Sequence, residues 1–303
     1  MNAAALPLAH TSPIYAMAEL VPITLAVVLY GQRAKTLAWK GRPVPGWRIA
    51  CFGTGLALIV AVGVSPVGRL SDELVYMHMI EHLVIGDLAP LLLVLGLTGP
   101  VLQPILAIPW LSWLRKLAHP LVALPLWAIS LYTWHLPPLY QDAFGGAPVH
   151  VLEHACFIGL GCLMWMPLVG PLPMPEWFGN LARLGYAVGV RFVSVVLGNV
   201  LMWSATVLYP IYAAGEAEHG ISPLADQSTA GAIMMAEGTF LTLGLIAYLF
   251  FRAAREDSER QHLVELAEAN GVSLDDRRAR RAVRAGQGER LARQLASGRY
   301  RPG

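Results

Sequence analysis

The chain has 303 residues, of which 55% are hydrophobic and only 14% charged, with a formal net charge of +2. That is about half the charge of a typical soluble domain, so the composition excludes an ordinary soluble fold and indicates a polytopic membrane protein with the lipid bilayer as its main partner. The charge is uneven: residues 252–303 hold 12 arginines and 8 acids, which leaves the preceding 251 residues poor in charge. No nucleic-acid partner is expected.

In chain order, the N-terminus lacks a basic region and a small-residue cleavage site, so no removable signal peptide is expected. Seven apolar runs follow, near 14–31, 47–65, 74–97, 119–136, 149–168, 184–208 and 227–251. Each is close to the roughly 20 helical residues that a hydrocarbon core requires. The runs are continuous rather than alternating, which favours helices over a barrel. The expected fold is therefore all-α, a polytopic membrane bundle of seven transmembrane helices over residues 1–252, with a charged, arginine-rich tail over 253–303. Residues 101–114 are apolar but broken by Pro104 and Pro109, and they carry Trp110 and Trp113, so they read as interfacial or re-entrant. Cys51, Cys156 and Cys162 all lie in apolar runs, and their odd number argues against a disulfide framework. In the tail, 258–269 and 279–295 have helix-forming composition and read as solvated or membrane-surface helices.

Lysine and arginine in the short loops set the orientation. Arg33, Lys35, Lys40 and Arg42 follow the first run, with Arg48 just beyond; Arg115 and Lys116 follow the third, and Arg183 the fifth. All fall on the side of the arginine-rich tail, whereas the alternate loops are acidic or nearly neutral. The expected topology has the N-terminus outside and the C-terminus in the cytoplasm.

This orientation gathers the histidines. The third run opens with His78-Met79-Ile80-Glu81-His82, and the pattern His-x-x-Glu-His returns as His150-Val151-Leu152-Glu153-His154 at the head of the fifth. His135 closes the fourth run. Five of the nine histidines thus meet at the extracytoplasmic boundary. On a helix, positions i, i+3 and i+4 share one face, so each unit directs two imidazoles and a carboxylate the same way. Imidazoles four residues apart can share a metal ion. Neighbouring thioethers at Met77 and Met79 would suit copper better than magnesium or calcium. The candidate ligands are His78, His82, His135, His150 and His154, with Glu81 and Glu153 as ligands or as groups orienting the imidazoles. His10, His119, His219 and His262 carry no such signal, and Cys156 and Cys162 read as packing residues.

Further ionisable residues lie deeper: Glu19, Asp87, Arg191 and Glu237. Charges at such depth need partners. Asp87 with Arg191 is the pair that depth suggests, while Glu19 and Glu237 are candidates for the outer site or a proton path.

The chain resembles the multi-span CtaG-type family of cytochrome c oxidase assembly proteins, associated with caa-type haem–copper oxidases. The resemblance rests on His78-Met79-x-x-His82 followed by Ala89-Pro90-Leu91-Leu92-Leu93-Val94-Leu95-Gly96, and on Trp134-His135-Leu136-Pro137 with Tyr140. It continues in His150 and Glu153-His154 leading to Phe157 and Trp165-Met166-Pro167-Leu168, in Leu208-Tyr209-Pro210-x-Tyr212, and in Ser222-Pro223-Leu224-x-Asp226-Gln227-x-x-Ala230-Gly231. Met235 stands where the family leads one to expect tryptophan, and Glu237-Gly238 where a more apolar stretch is expected. The resemblance implies a non-enzymatic role in maturing the oxidase in a bacterial plasma membrane. It implies copper supply to the oxidase's catalytic subunit, with an extracytoplasmic copper chaperone as a candidate donor. Two other readings of the motifs stay open: a membrane metalloenzyme using zinc or a di-iron centre, and a haem-binding electron carrier with cross-helix axial histidines.

Overall fold

A computed structural model describes residues 13–109, 113–284, 286–298 and 300, with side chains from residue 20 onward except at 147 and 284. His10, Glu19 and Trp110 lie outside these described parts. Among the described residues all regular structure is helical.

The chain divides into two compact units, Met1–Phe240 and Leu241–Gly303. The first contains α1(Pro13–Trp39), α2(Gly46–Val64), the short α3(Pro66–Leu70), α4(Val75–Leu83), a π-helical turn (Val84–Leu88) and α5(Ala89–Gly96). There follow α6(Gly99–Ala107), α7(Leu114–Leu117), α8(Pro120–Trp134), α9(Pro137–Gly145), α10(Ala147–Val169), α11(Asn180–Trp203) and α12(Ala213–Glu218). The helix α13(Pro223–Ala269) begins in the first unit and ends in the second, which also holds α14(Asp276–Arg284) and α15(Gly288–Ala296).

A helix occupies each of the seven apolar runs. Five are long and apolar enough to cross a membrane: Gly46–Val64, Val75–Gly96, Pro148–Val169, Asn180–Trp203 and Pro223–Ala269. Pro120–Trp134 is apolar but shorter. Residues 101–114 contribute the brief α6, bounded by the Thr98 cap and ending at Ile108 just ahead of Pro109, which cannot continue a helix.

The continuous run from Val75 to Gly96 is interrupted by the π turn, and the sequence explains where. Pro90 has no N–H to donate to the carbonyl of Gly86, and its ring crowds that carbonyl. The ladder widens just before the proline, and π turns of this kind tend to sit beside functional groups. The displaced Gly86 carbonyl lies against Gly161 of α10, where a Cβ would collide with it and with Pro90. Glycine at 161 therefore lets α10 press directly on the turn that follows His82. The α10 helix packs against α5, α8, α9 and the π turn, while α2 packs on α5. Leu56, Ile59, Ala89 and Leu93 form a core there that Ile158 and Cys162 complete, which places Cys162 in packing.

The far ends of these helices are held by basic side chains. Arg48 donates to the carbonyls of Leu95 and Leu97 at 2.8 and 2.7 Å, at the C-terminus of α5. Arg183 donates to Leu168 O at 3.0 Å, at the C-terminus of α10. A cation there satisfies carbonyls with no partner within the helix and complements the helix dipole. So the arginines cap the ends of α5 and α10 opposite to the two histidine motifs.

In the second unit the helix end, α14 and α15 fold on one another rather than lying separately. Leu263, Ala267, Ala279, Val283, Leu291 and Leu295 form its core, and Arg260 pairs with Asp276 at 2.7 Å.

Candidate metal centre

The two His-x-x-Glu-His motifs meet as the first turns of α4 and α10. The start of α4 is fixed from a distance. Leu74 is extended and offers no side-chain cap. Asp226, in the first turn of α13, accepts from the backbone N–H of Val75 at 2.8 Å and of Tyr76 at 2.9 Å. A carboxylate on two orphan N–H groups is a strong helix cap, and here it sets the rotation of the helix that presents His78, Glu81 and His82.

All six motif residues are buried, none more than 4% exposed. Their donor atoms sort into two groups, and each group draws on both helices. His78 and His82 of α4 combine with Glu153 of α10, and His150 and His154 of α10 combine with Glu81 of α4. Within each triad the potential ligand atoms lie within 4.8 Å of one another. Each helix thus supplies an i, i+4 imidazole pair to one triad and its carboxylate to the other.

The imidazole–carboxylate separations are 3.8 Å for His82 Nε2 to Glu153 Oε1, 3.7 Å for His150 Nδ1 to Glu153 Oε2 and 3.9 Å for His154 Nε2 to Glu81 Oε1. These are too long for hydrogen bonds. With metal–ligand bonds of about 2.0–2.2 Å, donors on one tetrahedral ion stand roughly 3.4 Å apart. The 3.8 and 3.9 Å spacings within the triads exceed this by a few tenths of an ångström, and all the potential ligand atoms of a triad lie within 4.8 Å. Both ring nitrogens of His82 and both carboxylate oxygens of Glu153 lack hydrogen-bond partners among the described residues. Burying a carboxylate in that condition costs several kcal/mol, and a cation between the helices would offset that cost. Two imidazoles with one carboxylate are a donor set used for zinc, copper and non-haem iron.

His135 joins neither triad. It caps α8, and its Nδ1 is 2.7 Å from Leu131 O, so that nitrogen carries the proton and donates. Its Nε2 has no hydrogen-bond partner among the described residues, and its ring lies 6.4 Å from that of His82. His82, His135, Met79 and Met234 line a cavity of about 20 Å³ that reaches down to Asp87 and Glu237. That is room for about one water. Met79 is 1% exposed and faces this cavity.

Three tyrosines, which stand in the sequence motifs without a chemical signal of their own, close the site on the other side. Tyr140 packs its ring 5.0 Å from His78, and its hydroxyl bonds that of Tyr212 at 2.8 Å. Tyr209 stacks on Tyr140 at 4.0 Å and donates to His135 O at 2.8 Å. Burial first, and then the neighbouring phenols, push Tyr140 well above the ordinary tyrosine range, and burial does the same for Tyr209 and Tyr212. The three remain neutral hydroxyls.

The pair suggested by depth does not form. Arg191 donates to Met235 O and Thr239 Oγ1, each at 2.8 Å, and makes no ion pair with Asp87. Its guanidinium reaches α13 through the space left by Gly238, where a Cβ would collide with it. That accounts for glycine at 238, and Asp87 instead faces the cavity with Glu237.

The family model described as the cytochrome c oxidase caa3 assembly factor matches residues 28–256, which takes in all seven candidate ligands. An uncharacterized protein of Mycobacterium bovis is 27% identical over 247 residues, covering 75% of this chain and 37% of the relative. An uncharacterized protein of Mycobacterium tuberculosis matches to the same extent, and one of Mycobacterium leprae is 26% identical over 255 residues, covering 78% of this chain and 38% of its own length. The chain spans a little over a third of the length of these relatives. No solved structure matches it.

Proposed function

The chain belongs to the cytochrome c oxidase caa3 assembly factor family, and from that membership we propose that it handles copper for the oxidase at the extracytoplasmic face of a bacterial plasma membrane. The observation that carries this reading is the buried meeting of the two motifs, in which His78, His82 and Glu153, and His150, His154 and Glu81, fall within ligand distance across two helices. In this reading His135 serves as an accessory donor beside them. The ion is cargo passed to the catalytic subunit, with an extracytoplasmic chaperone as donor, and the chain itself makes and breaks no covalent bond.

The topology in this proposal is seven crossings, N-terminus outside, and residues 253–303 in the cytoplasm. The positions of Arg48 and Arg183 support it, because they cap the helix ends opposite to the histidine motifs, and basic residues favour the cytoplasmic side.

The test is to purify the protein in detergent and measure its metal content and visible spectrum beside His78→Ala and His154→Ala. Copper that both variants lose, with no haem absorption, supports the role. In cells, the double variant should lower the copper content of the oxidase; normal oxidase copper in that strain would defeat the proposal. The triad composition also suits a metalloenzyme, and bound zinc accompanied by peptidase activity would establish that reading instead.

A further inference from the structure

One residue, Glu153, faces both triads. Glu153 belongs to the triad of His78 and His82, with Oε1 3.8 Å from His82 Nε2. Its second oxygen, Oε2, is 3.7 Å from His150 Nδ1, which belongs to the other triad. Glu81 has its Oε1 3.9 Å from His154 Nε2. The triads are also adjacent: the rings of His78 and His150 are 6.2 Å apart, and those of His82 and His154 5.8 Å.

We infer that the cluster binds two transition-metal ions side by side, one in each triad, with the Glu153 carboxylate bridging them. The inference rests on the metal-handling role proposed above for these same residues. A carboxylate whose two oxygens face two separate imidazole pairs can give one oxygen to each ion and keep both in bidentate reach. Without the bridge, one of its oxygens would be buried with no partner, at a cost of the kind that native sites avoid. The four imidazoles serve as neutral ligands, and the two carboxylates bring negative charge to a place where adjacent cations would otherwise repel strongly. Counting the bridge by one oxygen, the ion of His78 and His82 then has three protein donors and keeps an open coordination position, whereas the ion of His150, His154 and Glu81 has four. An open position is what distinguishes a site for exchange or chemistry from a closed structural one. The bridge has a direct consequence: losing Glu153 leaves the ion of His78 and His82 with two imidazoles alone, whereas losing Glu81 leaves each ion two imidazoles and one oxygen of Glu153.

The experiment uses the full chain in detergent, stripped with a chelator, loaded with copper(II) and freed of excess metal. Copper per chain is measured by mass spectrometry and compared with the intensity of the copper(II) paramagnetic resonance signal. The expected result is two copper ions per chain with a signal well below the copper content, because bridged ions couple magnetically. Glu153→Gln leaves the His150, His154 and Glu81 set complete and should fall to about half the copper, with its signal restored to match. Glu81→Gln leaves each ion two imidazoles and a bridge oxygen and should keep a signal well below its copper content. Glu153→Asp, which keeps the charge but shortens the reach to one ion, should also show an uncoupled signal, which guards against a misfolded Glu153→Gln. One copper per chain in the unaltered protein, or a signal still well below the copper content in Glu153→Gln, overturns the bridge. The two readings fail separately: a count of one leaves copper delivery standing, while normal oxidase maturation in cells lacking the ligands defeats delivery and leaves the two-ion count intact.

Discussion

Asp226 closes the first turn of the helix that begins at Val75, its carboxylate accepting the Val75 N–H at 2.8 Å although 151 positions separate them in the chain. The same carboxylate takes the N–H of Tyr76 at 2.9 Å. Asp226→Ala leaves two helix-end donors unpaired in a buried place, which costs about 1–3 kcal/mol and loosens the helix that presents His78. Asp226→Asn keeps one acceptor oxygen for two donors that separate oxygens now accept, so it should fall between the Ala variant and the native protein. Thermal unfolding in detergent together with metal loading checks this. An Ala variant matching the native protein in both would show that the cap does not set the site.

Gly161 and Gly159 form a matched pair on α10. A Cβ at 161 collides with Gly86 O and Pro90, whereas nothing lies within 4 Å of a Cβ at 159. Gly161→Ala should therefore force α10 away from the π turn at a cost of about 1–3 kcal/mol and weaken metal binding without touching a ligand. Gly159→Ala should leave both unchanged. The unfolding midpoints and metal contents of the two variants, compared side by side, decide the point.

His135 and His82 should separate in the same assay. His82→Ala removes a donor from a triad and should reduce retained metal by at least half. His135→Ala should leave the number of ions unchanged, since its Nδ1 is committed to Leu131 O and it stands outside both triads. An equal loss in the two would make His135 a ligand on a par with the rest.

Tyr209→Phe deletes the hydrogen bond to His135 O and should cost about 1 kcal/mol, with the metal count preserved. The phenols also set a pH dependence. Their folded pKa values are raised by burial. The stability they contribute is complete below the unfolded tyrosine value of about 10 and is lost as pH rises through the higher folded values. Tyrosinate absorbance should show Tyr140, Tyr209 and Tyr212 titrating late, together with unfolding. Three phenols that ionise near pH 10 in a folded protein would refute the assignment.

A reporter fused after Arg252 should read as cytoplasmic, and one placed in the loop that precedes Val75 as extracytoplasmic. The reverse result would move the histidine cluster to the other side of the membrane and end the case for delivery from outside.

Much of this architecture can be read from the chain. Apolar runs near 20 residues give a helix in every expected place, because in hydrocarbon a segment must satisfy its own backbone. The repeated His-x-x-Glu-His spacing indicated two motifs on helix faces, and they do meet. It could not show that Glu81 and Glu153 exchange triads. Spacing fixes which way a side chain leaves its own helix, while the partner it reaches depends on how closely α4 and α10 approach. That approach is set by Gly161 and by the π turn before Pro90. For the same reason depth alone paired Asp87 with Arg191, whereas the gap at Gly238 draws the guanidinium to α13. The caps and walls supplied by Asp226 and the three tyrosines come from segments remote in sequence, the first turn of α13, the helix α9 and the stretch ahead of α12. Their trace in the chain is a place in the motifs that carry the family resemblance, each within three residues of a proline.

The exchange of carboxylates also bears on the order of events during synthesis. Each triad takes two imidazoles from one helix and its acid from the other, so inserting α4 alone yields His78 and His82 with no carboxylate to complete their set. Glu153 is reached only 71 residues after His82 in the chain. A nascent chain therefore has no finished site until its second motif has entered the bilayer and docked, and the arrival of α10 completes both triads in a single step.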